Sequence, residues 1–230
     1  MITRSKANNQ VSLRTKTKVI ERTDFYATWG KRVFDIVFAS AVLALFSPVY
    51  LAITLLILIS SRSSFLYIHP RVGLNGYSFN CIKFRTMING ADQALEDYLN
   101  ACPISRAEYE ASFKLKNDPR ITKIGKFLRT TSLDELPQFW NVLMGDMSVV
   151  GPRPLVQAEL TKYGSAIDRV LSVRPGIAGL WQVSGRNDIP YSRRVQIDAS
   201  YVKRMSFCLD LHLIFKTILV VIFPKGNGAY

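Results

Sequence analysis

The sequence predicts an α+β chain: a membrane-associated, re-entrant N-terminal helix hairpin followed by a small mixed domain with interfacial helices on the cytoplasmic side. Three observations carry this. Residues 36–59 form one strongly apolar stretch, long enough to span a bilayer by the usual criterion of about 20 residues. Ser47-Pro48 interrupts that stretch near its middle. Beyond it the hydrophobic pattern alternates between strand-like and helix-like periods, with loops rich in Gly and Pro.

Composition narrows the partners. With 30 Lys+Arg against 17 Asp+Glu, the net charge of +13 calls for an anionic partner: nucleic acid, anionic lipid headgroups or a phosphorylated small molecule. A hydrophobic content of 48% argues against a disordered basic tail protein. Cys81, Cys102 and Cys208 are odd in number and widely spaced, which gives neither a disulfide framework nor a zinc site and points to a reducing compartment.

Residues 1–30 carry Arg4, Lys6, Arg14, Lys16, Lys18 and Arg22 and read as a basic, mobile leader, either lying on anionic lipid or merely solvated. Residues 31–62 follow as the membrane segment. Lys31 and Arg32 precede its apolar core and Arg62 follows it, so both ends are positive and the usual inside–outside asymmetry of a span is missing. A hairpin that enters and leaves by the cytoplasmic face, bent at Ser47-Pro48 where proline removes a backbone donor, satisfies both facts. A kinked span is the alternative.

Residues 63–230 form the second domain. Phe65–Ile68 and Tyr77–Phe84 flank Gly73-Leu74-Asn75-Gly76 and predict a β-hairpin. Period two places Lys83 and Arg85 on one face if the strand runs that far. Ala91–Asn100 and about 105–113 predict two short helices in an insertion spanning 90–120, closed by a turn at Asn117-Asp118-Pro119-Arg120. Leu136, Phe139, Trp140 and Leu143 give one apolar helix face ended by Gly145. Pro137 is tolerated only in a first turn, so Asp134 and Glu135 are expected at the helix N-terminus, and Ser132-x-x-Glu135 fits a capping box. Ser148-Val149-Val150 predicts a short strand running into Gly151-Pro152-Arg153-Pro154, whose prolines fix the backbone around one arginine. Helices are expected over about 155–163 and 192–205. Leu209–Phe223, interrupted by Asp210, His212 and Lys216, suits an interfacial helix or a core helix equally.

Asp134-Glu135 is an acidic pair inside a basic stretch (Lys123, Lys126, Arg129, then Arg153), and carboxylates among cations suit a site for a metal ion and a phosphate together. The capping box explains the same hexapeptide structurally. No phosphate-binding P-loop, dinucleotide fingerprint, zincin or α/β-hydrolase motif is present. Two carboxylates adjacent in sequence are poorly placed to flank a glycosidic bond from opposite sides, which removes a glycoside hydrolase. A membrane-tethered protein binding anionic lipid or nucleic acid fits the charge but leaves the acidic pair unexplained.

An ordered set of motifs resembles the bacterial sugar transferases, the monotopic polyprenyl-phosphate phosphoglycosyl transferases. They are Lys31-Arg32-Val33-Phe34-Asp35, Ser47-Pro48, Lys83-Phe84-Arg85-Thr86-Met87, Leu128-Arg129, Ser132-Leu133-Asp134-Glu135-Leu136-Pro137-Gln138, the run from Asn141 to Pro154, and the run from Arg174 to Asn187. The insertion and Gly185-Arg186-Asn187-Asp188 look most like exopolysaccharide galactosyl-phosphate transferases. The resemblance implies a re-entrant helix with a Ser-Pro bend at Ser47 and Pro48 and a cytoplasmic catalytic domain at the bacterial inner membrane. It implies transfer of a hexose-1-phosphate, galactose favoured over glucose, from a UDP-sugar to undecaprenyl phosphate, with release of UMP. It casts Asp134 as nucleophile and ligand of Mg²⁺ and Glu135 as its catalytic partner, and places Lys83, Arg129, Arg153, Arg186 and Asp210 on the substrate phosphates. No nucleic acid is expected as a partner, and a homo-oligomer is compatible with the sequence.

Overall fold

The computed structural model describes residues 26–61, 64–112, 115, 117–185 and 189–223. A π-helical turn, Tyr26–Gly30, runs directly into α1 (Lys31–Leu45), so residues 26–30, expected to be part of a mobile leader, are helical. The rest of the basic leader lies outside the described residues. After Phe46 leaves helical geometry, α2 (Ser47–Ser61) departs at 61° to α1. The chemistry of the bend is local. Pro48 has no amide for the carbonyl of Ala44, and the Ser47 hydroxyl donates to that carbonyl instead, at 2.8 Å. No single described helix is long and apolar enough to cross a membrane, although the bent pair meets the requirement together.

Asp35, the acidic residue at the entrance of the apolar stretch, is buried, and its Oδ1 is hydrogen-bonded twice. It accepts from Ser148 Oγ and from the Val149 amide, both at 2.9 Å, which pins α1 to the strand β3 (Ser148–Val150). One turn earlier, Arg32 donates to the carbonyls of Val142 and Leu143 near the end of α6 (Gln138–Met144), neutralising the negative end of that helix. Ala39 and Phe38 continue this inner face, Phe38 packing on Phe139.

The expected hairpin is present: β1 (Leu66–Val72) pairs antiparallel with β2 (Ser78–Phe84), opposing Tyr67 to Lys83, His69 to Cys81 and Arg71 to Phe79. β1 runs four residues beyond the expected end, through Pro70. α3 (Ala91–Ala101) and α4 (Pro103–Ser112) make up the insertion. A helix the sequence did not suggest, α5 (Lys123–Thr130), follows. Thr122 caps it by accepting from the Gly125 amide at 2.9 Å, and Gly125 lies so close to Thr86 that a Cβ there would stand 1.9 Å from the Thr86 carbonyl oxygen.

β3 pairs in parallel with a second unexpected element, β4 (Gly176–Ala178), held by a backbone approach at Gly151 and Gly176 that excludes any side chain. The helix expected over 155–163 is reduced to a 3₁₀ turn, Gln157–Glu159, and a single turn, α7 (Leu160–Tyr163), before the short α8 (Ile167–Leu171). α9 (Tyr191–Arg204) and α10 (Phe207–Ile222) complete the fold. The main core joins Ala39, Val142, Met147, Val150, Val202 and Leu213, so α1, α6, β3, α9 and α10 share one interior. α10 combines both expected characters: Asp210 and Leu213 are buried, while Phe215, Ile218, Leu219 and Ile222 remain exposed.

Candidate active site

The two carboxylates lie on one 3₁₀ turn, Leu133–Glu135, between α5 and α6. Ser132 precedes it in the left-handed region (φ 56°, ψ 17°), and its side chain makes no capping bond. The expected capping box is therefore absent. A residue in that conformation does not continue the helical path, so the chain turns sharply and delivers Asp134 and Glu135 between two helices. Pro137 occupies the N-cap of α6, as the missing amide requires.

The two carboxylates have different surroundings. Asp134 is buried, 9% exposed, and its carboxyl is pushed up to about 6, first by burial and then by the charge of Glu135, with Lys83 and Arg129 opposing the rise. Glu135 faces the cleft and receives Lys83 Nζ at 2.6 Å, both side chains about one quarter exposed. Against the penalty of burial, the charge and hydrogen bond of Lys83, then Arg153 and Gln138, hold Glu135 below the usual carboxylate range. Of two neighbouring acids, one thus stays firmly ionised and the other holds its proton more tightly.

The cations come from separate elements. Lys83 sits at the end of β2, Arg129 on the last turn of α5, and Arg153 after β3. The Arg129 Nε donates to Thr86 Oγ1 at 2.9 Å, so the close approach at Gly125 fixes the distance from α5 to the strand end that carries Lys83. Arg153 lies 5.8 Å over the ring of Trp181, which also carries Arg194 at 4.8 Å. On the Glu135 side opens a small, solvent-open cleft lined by Arg71, Lys83, Glu135, Gln138, Arg153 and Gln182, among others.

Of the residues that the resemblance set near the dyad, Lys83 and Arg129 lie within electrostatic reach of Asp134, and Lys83 and Arg153 within reach of Glu135. Arg186 lies outside the described residues. Asp210 is not brought to the dyad. It is fully buried in another cluster, accepting from Lys31 Nζ at 2.5 Å, Tyr26 OH at 2.6 Å and Tyr201 OH at 2.7 Å. Its place there is structural: it ties α10 to the start of α1. Arg85 also misses the cleft, because β2 ends at Phe84 and its guanidinium turns to the carbonyls of Ser64 and Leu66.

Arg71, Gln138 and Gln182 line the cleft without having been singled out from the sequence. Arg71 was legible in principle. Once the loop at 73–76 fixes the hairpin register, Arg71 falls on the face that carries Cys81 and Lys83. Among the described residues no cluster of three or more His, Cys, Asp or Glu side chains could form a cation cage. Any divalent ion at the dyad would draw its remaining ligands from water and substrate oxygens, which is the habit of Mg²⁺ in phosphate chemistry.

Known proteins share this chain's pattern. The chain is 50% identical over 202 residues to the UDP-galactose-lipid carrier transferase of Erwinia amylovora, covering 87% of this chain and 41% of that protein. It is 49% identical over 198 residues to the exopolysaccharide production protein ExoY of Rhizobium meliloti (strain 1021), covering 86% and 88%. It is 38% identical over 196 residues to the UDP-glucose:undecaprenyl-phosphate glucose-1-phosphate transferase of Escherichia coli (strain K12), covering 82% and 39%. The chain thus spans about four tenths of the length of the first and third of these relatives. The model of the bacterial sugar transferases matches residues 26–224, a range that holds the bent helix pair, the dyad and its ring of cations, and the chain belongs to the bacterial sugar transferase family.

Proposed function

We propose that this chain transfers a hexose-1-phosphate, with galactose favoured, from a UDP-sugar to undecaprenyl phosphate, as the first membrane step of exopolysaccharide synthesis. The observation that carries the reading is the pairing of buried Asp134 with Glu135, which Lys83 holds in an ion pair, beside Arg129 and Arg153. The names borne by the relatives from Erwinia and Rhizobium support the lipid carrier, galactose and the exopolysaccharide pathway. The relative named for glucose is less similar, at 38% identity.

Asp134 attacks the phosphorus that bears the sugar, forming an acyl phosphate and releasing UMP. Glu135, held ionised by Lys83, assists from the cleft side. Arg129 and Arg153 hold charge on the transferred group. The phosphate of undecaprenyl phosphate then displaces Asp134 from the phosphosugar. Mg²⁺ held by Asp134 would supply neutralisation of the diphosphate, and the like-charge repulsion between Asp134 and Glu135 is the feature of the fold that such an ion relieves.

The bent pair serves as a re-entrant anchor in the bacterial inner membrane, with the catalytic domain on the cytoplasmic face. Support comes from the 61° break, from the positive charge at both flanks, and from exposed Val37, Leu45, Leu51, Leu55, Leu56 and Ile59. The test is UMP release across a panel of UDP-sugars with undecaprenyl phosphate. UDP-galactose should turn over fastest, and Asp134→Asn should lower UMP release about 10³-fold or more while membrane association persists. Membrane association without turnover of any UDP-sugar would instead favour a lipid-binding protein.

A further inference from the structure

Arg71 stands in a setting that the reaction as described does not use. It projects from β1 on the same face as Lys83 and lines the cleft together with Arg153. Among the described residues neither Arg71 nor Arg153 forms an ion pair with a carboxylate, whereas Lys83 is already committed to Glu135. Among the described residues Arg71 donates from Nη1 to the carbonyl of Pro154 over a long 3.3 Å. Burial and then the charge of Arg153 make the Arg71 guanidinium harder to keep charged. Two partly desolvated guanidinium groups sharing one cleft are unfavourable alone and become favourable when a phosphate bridges them, since each can present two parallel N–H donors.

Position selects which phosphate. Phosphoryl transfer places the attacking and leaving oxygens roughly in line through phosphorus. Asp134 is buried beside Lys83 and Arg129 and does not line the cleft, whereas its neighbour Glu135 lines it together with Arg71 and Arg153. We propose that Arg71, together with Arg153, holds the nucleotide phosphate that departs as UMP. The inference rests on the transferase reading above. In the step concerned, an Asp134 oxygen forms the new bond to the sugar-bearing phosphorus. The bond from that phosphorus to the bridging oxygen breaks, and its electron pair stays on the UMP phosphate facing the two arginines.

The experiment uses the full chain in detergent or vesicles, with Arg71→Gln and Arg71→Lys compared to wild type. The readouts are KM for UDP-galactose, inhibition by UMP, KM for undecaprenyl phosphate, and melting temperature with and without UMP. Arg71→Gln is expected to weaken UMP inhibition and raise the UDP-sugar KM by about tenfold or more, leaving the lipid KM unchanged. Arg71→Lys should fall between, because it keeps the charge but loses the fork. Unchanged UMP inhibition in a folded Arg71→Gln variant would overturn the assignment. An effect confined to the lipid KM would also overturn it and would place the acceptor phosphate there instead. Should Arg71→Gln fail to fold, UMP must raise the melting temperature of wild type more than that of Arg71→Lys; equal protection overturns the proposal. Failure of the transferase reading itself looks different: wild type then releases no UMP from any UDP-sugar.

Discussion

At the scale of single residues, neighbours in sequence receive opposite electrostatic treatment. Asp134 turns inward and Glu135 outward to Lys83, because a 3₁₀ turn separates adjacent side chains by about 120°. The presence of an important acidic pair was legible, since two carboxylates in a basic stretch needed explaining. Their division of labour was not, because it depends on Ser132 adopting the left-handed conformation and on Lys83 arriving from a strand about fifty residues earlier. Asp210 shows the converse: a motif position places it near the dyad, yet the fold gives it to Lys31, Tyr26 and Tyr201.

Asp198 shows how a buried acid couples to pH. It is fully buried on α9, accepts from Tyr163 OH at 2.9 Å, and burial pushes its carboxyl up to about 7 although Tyr163 and Arg153 oppose the rise. The folded chain therefore holds a proton that the unfolded carboxyl loses near pH 4. The resulting stability is complete below about pH 4 and is lost as pH rises through about 7, a loss of at most about 4 kcal/mol. Melting curves from pH 4 to 8 should show this decline in wild type, and Asp198→Asn should flatten it.

At the scale of elements, long periodic segments were readable and short ones were not. α1 and α2 show as one long apolar run, α6, α9 and α10 carry a readable helical pattern, and the hairpin has its Gly-Leu-Asn-Gly loop. β4 has three residues and acquires strand geometry only by pairing with β3. α5 has only eight residues, so Ile124, Phe127 and Leu128 give a single i, i+3, i+4 set, and its cap, Thr122, sits in a segment that reads as loop. Gly125 is nonetheless what positions the helix. Gly125→Ala would drive a methyl into the Thr86 carbonyl, so we expect a loss of about 1–3 kcal/mol in stability. Because Arg129 rides on the same helix, UMP release should fall more steeply than stability, as a paired melting and activity measurement would show.

The break between α1 and α2 is the other element with a local cause. Pro48→Ala restores an amide facing the Ala44 carbonyl and removes the reason for the Ser47 hydroxyl to take it. The expected outcome is a straighter pair. A cysteine at Ser60, labelled by a membrane-impermeant thiol reagent from the cytoplasmic side in the wild-type background, should lose that labelling in the Pro48→Ala background. Equal labelling in both would dissociate the bend from topology.

For the whole molecule, one interior connects the bent helix pair to the carboxylate dyad. Lys31 and Asp35 on α1 are clamped by Asp210 on α10 and by β3, and β3 leads directly to Arg153. The exposed apolar residues of α1, α2 and the distal half of α10, together with a net charge of +13, suit a lipid surface carrying anionic headgroups. This joint arrangement was only partly legible: the flanking charges suggested a hairpin, while the burial of Asp35 against Ser148 links positions 113 residues apart. Binding to anionic vesicles should weaken with added salt and persist at high salt through the apolar surface, as vesicle sedimentation would measure. Complete release by salt would leave only a charge-mediated attachment.

The most direct test of Asp134 as nucleophile is to incubate the enzyme with its UDP-sugar in the absence of undecaprenyl phosphate. One equivalent of UMP should appear, and mass spectrometry should find a hexose phosphate on the peptide containing Asp134. Turnover that requires both substrates together, with no UMP released beforehand and no labelled peptide, would contradict it.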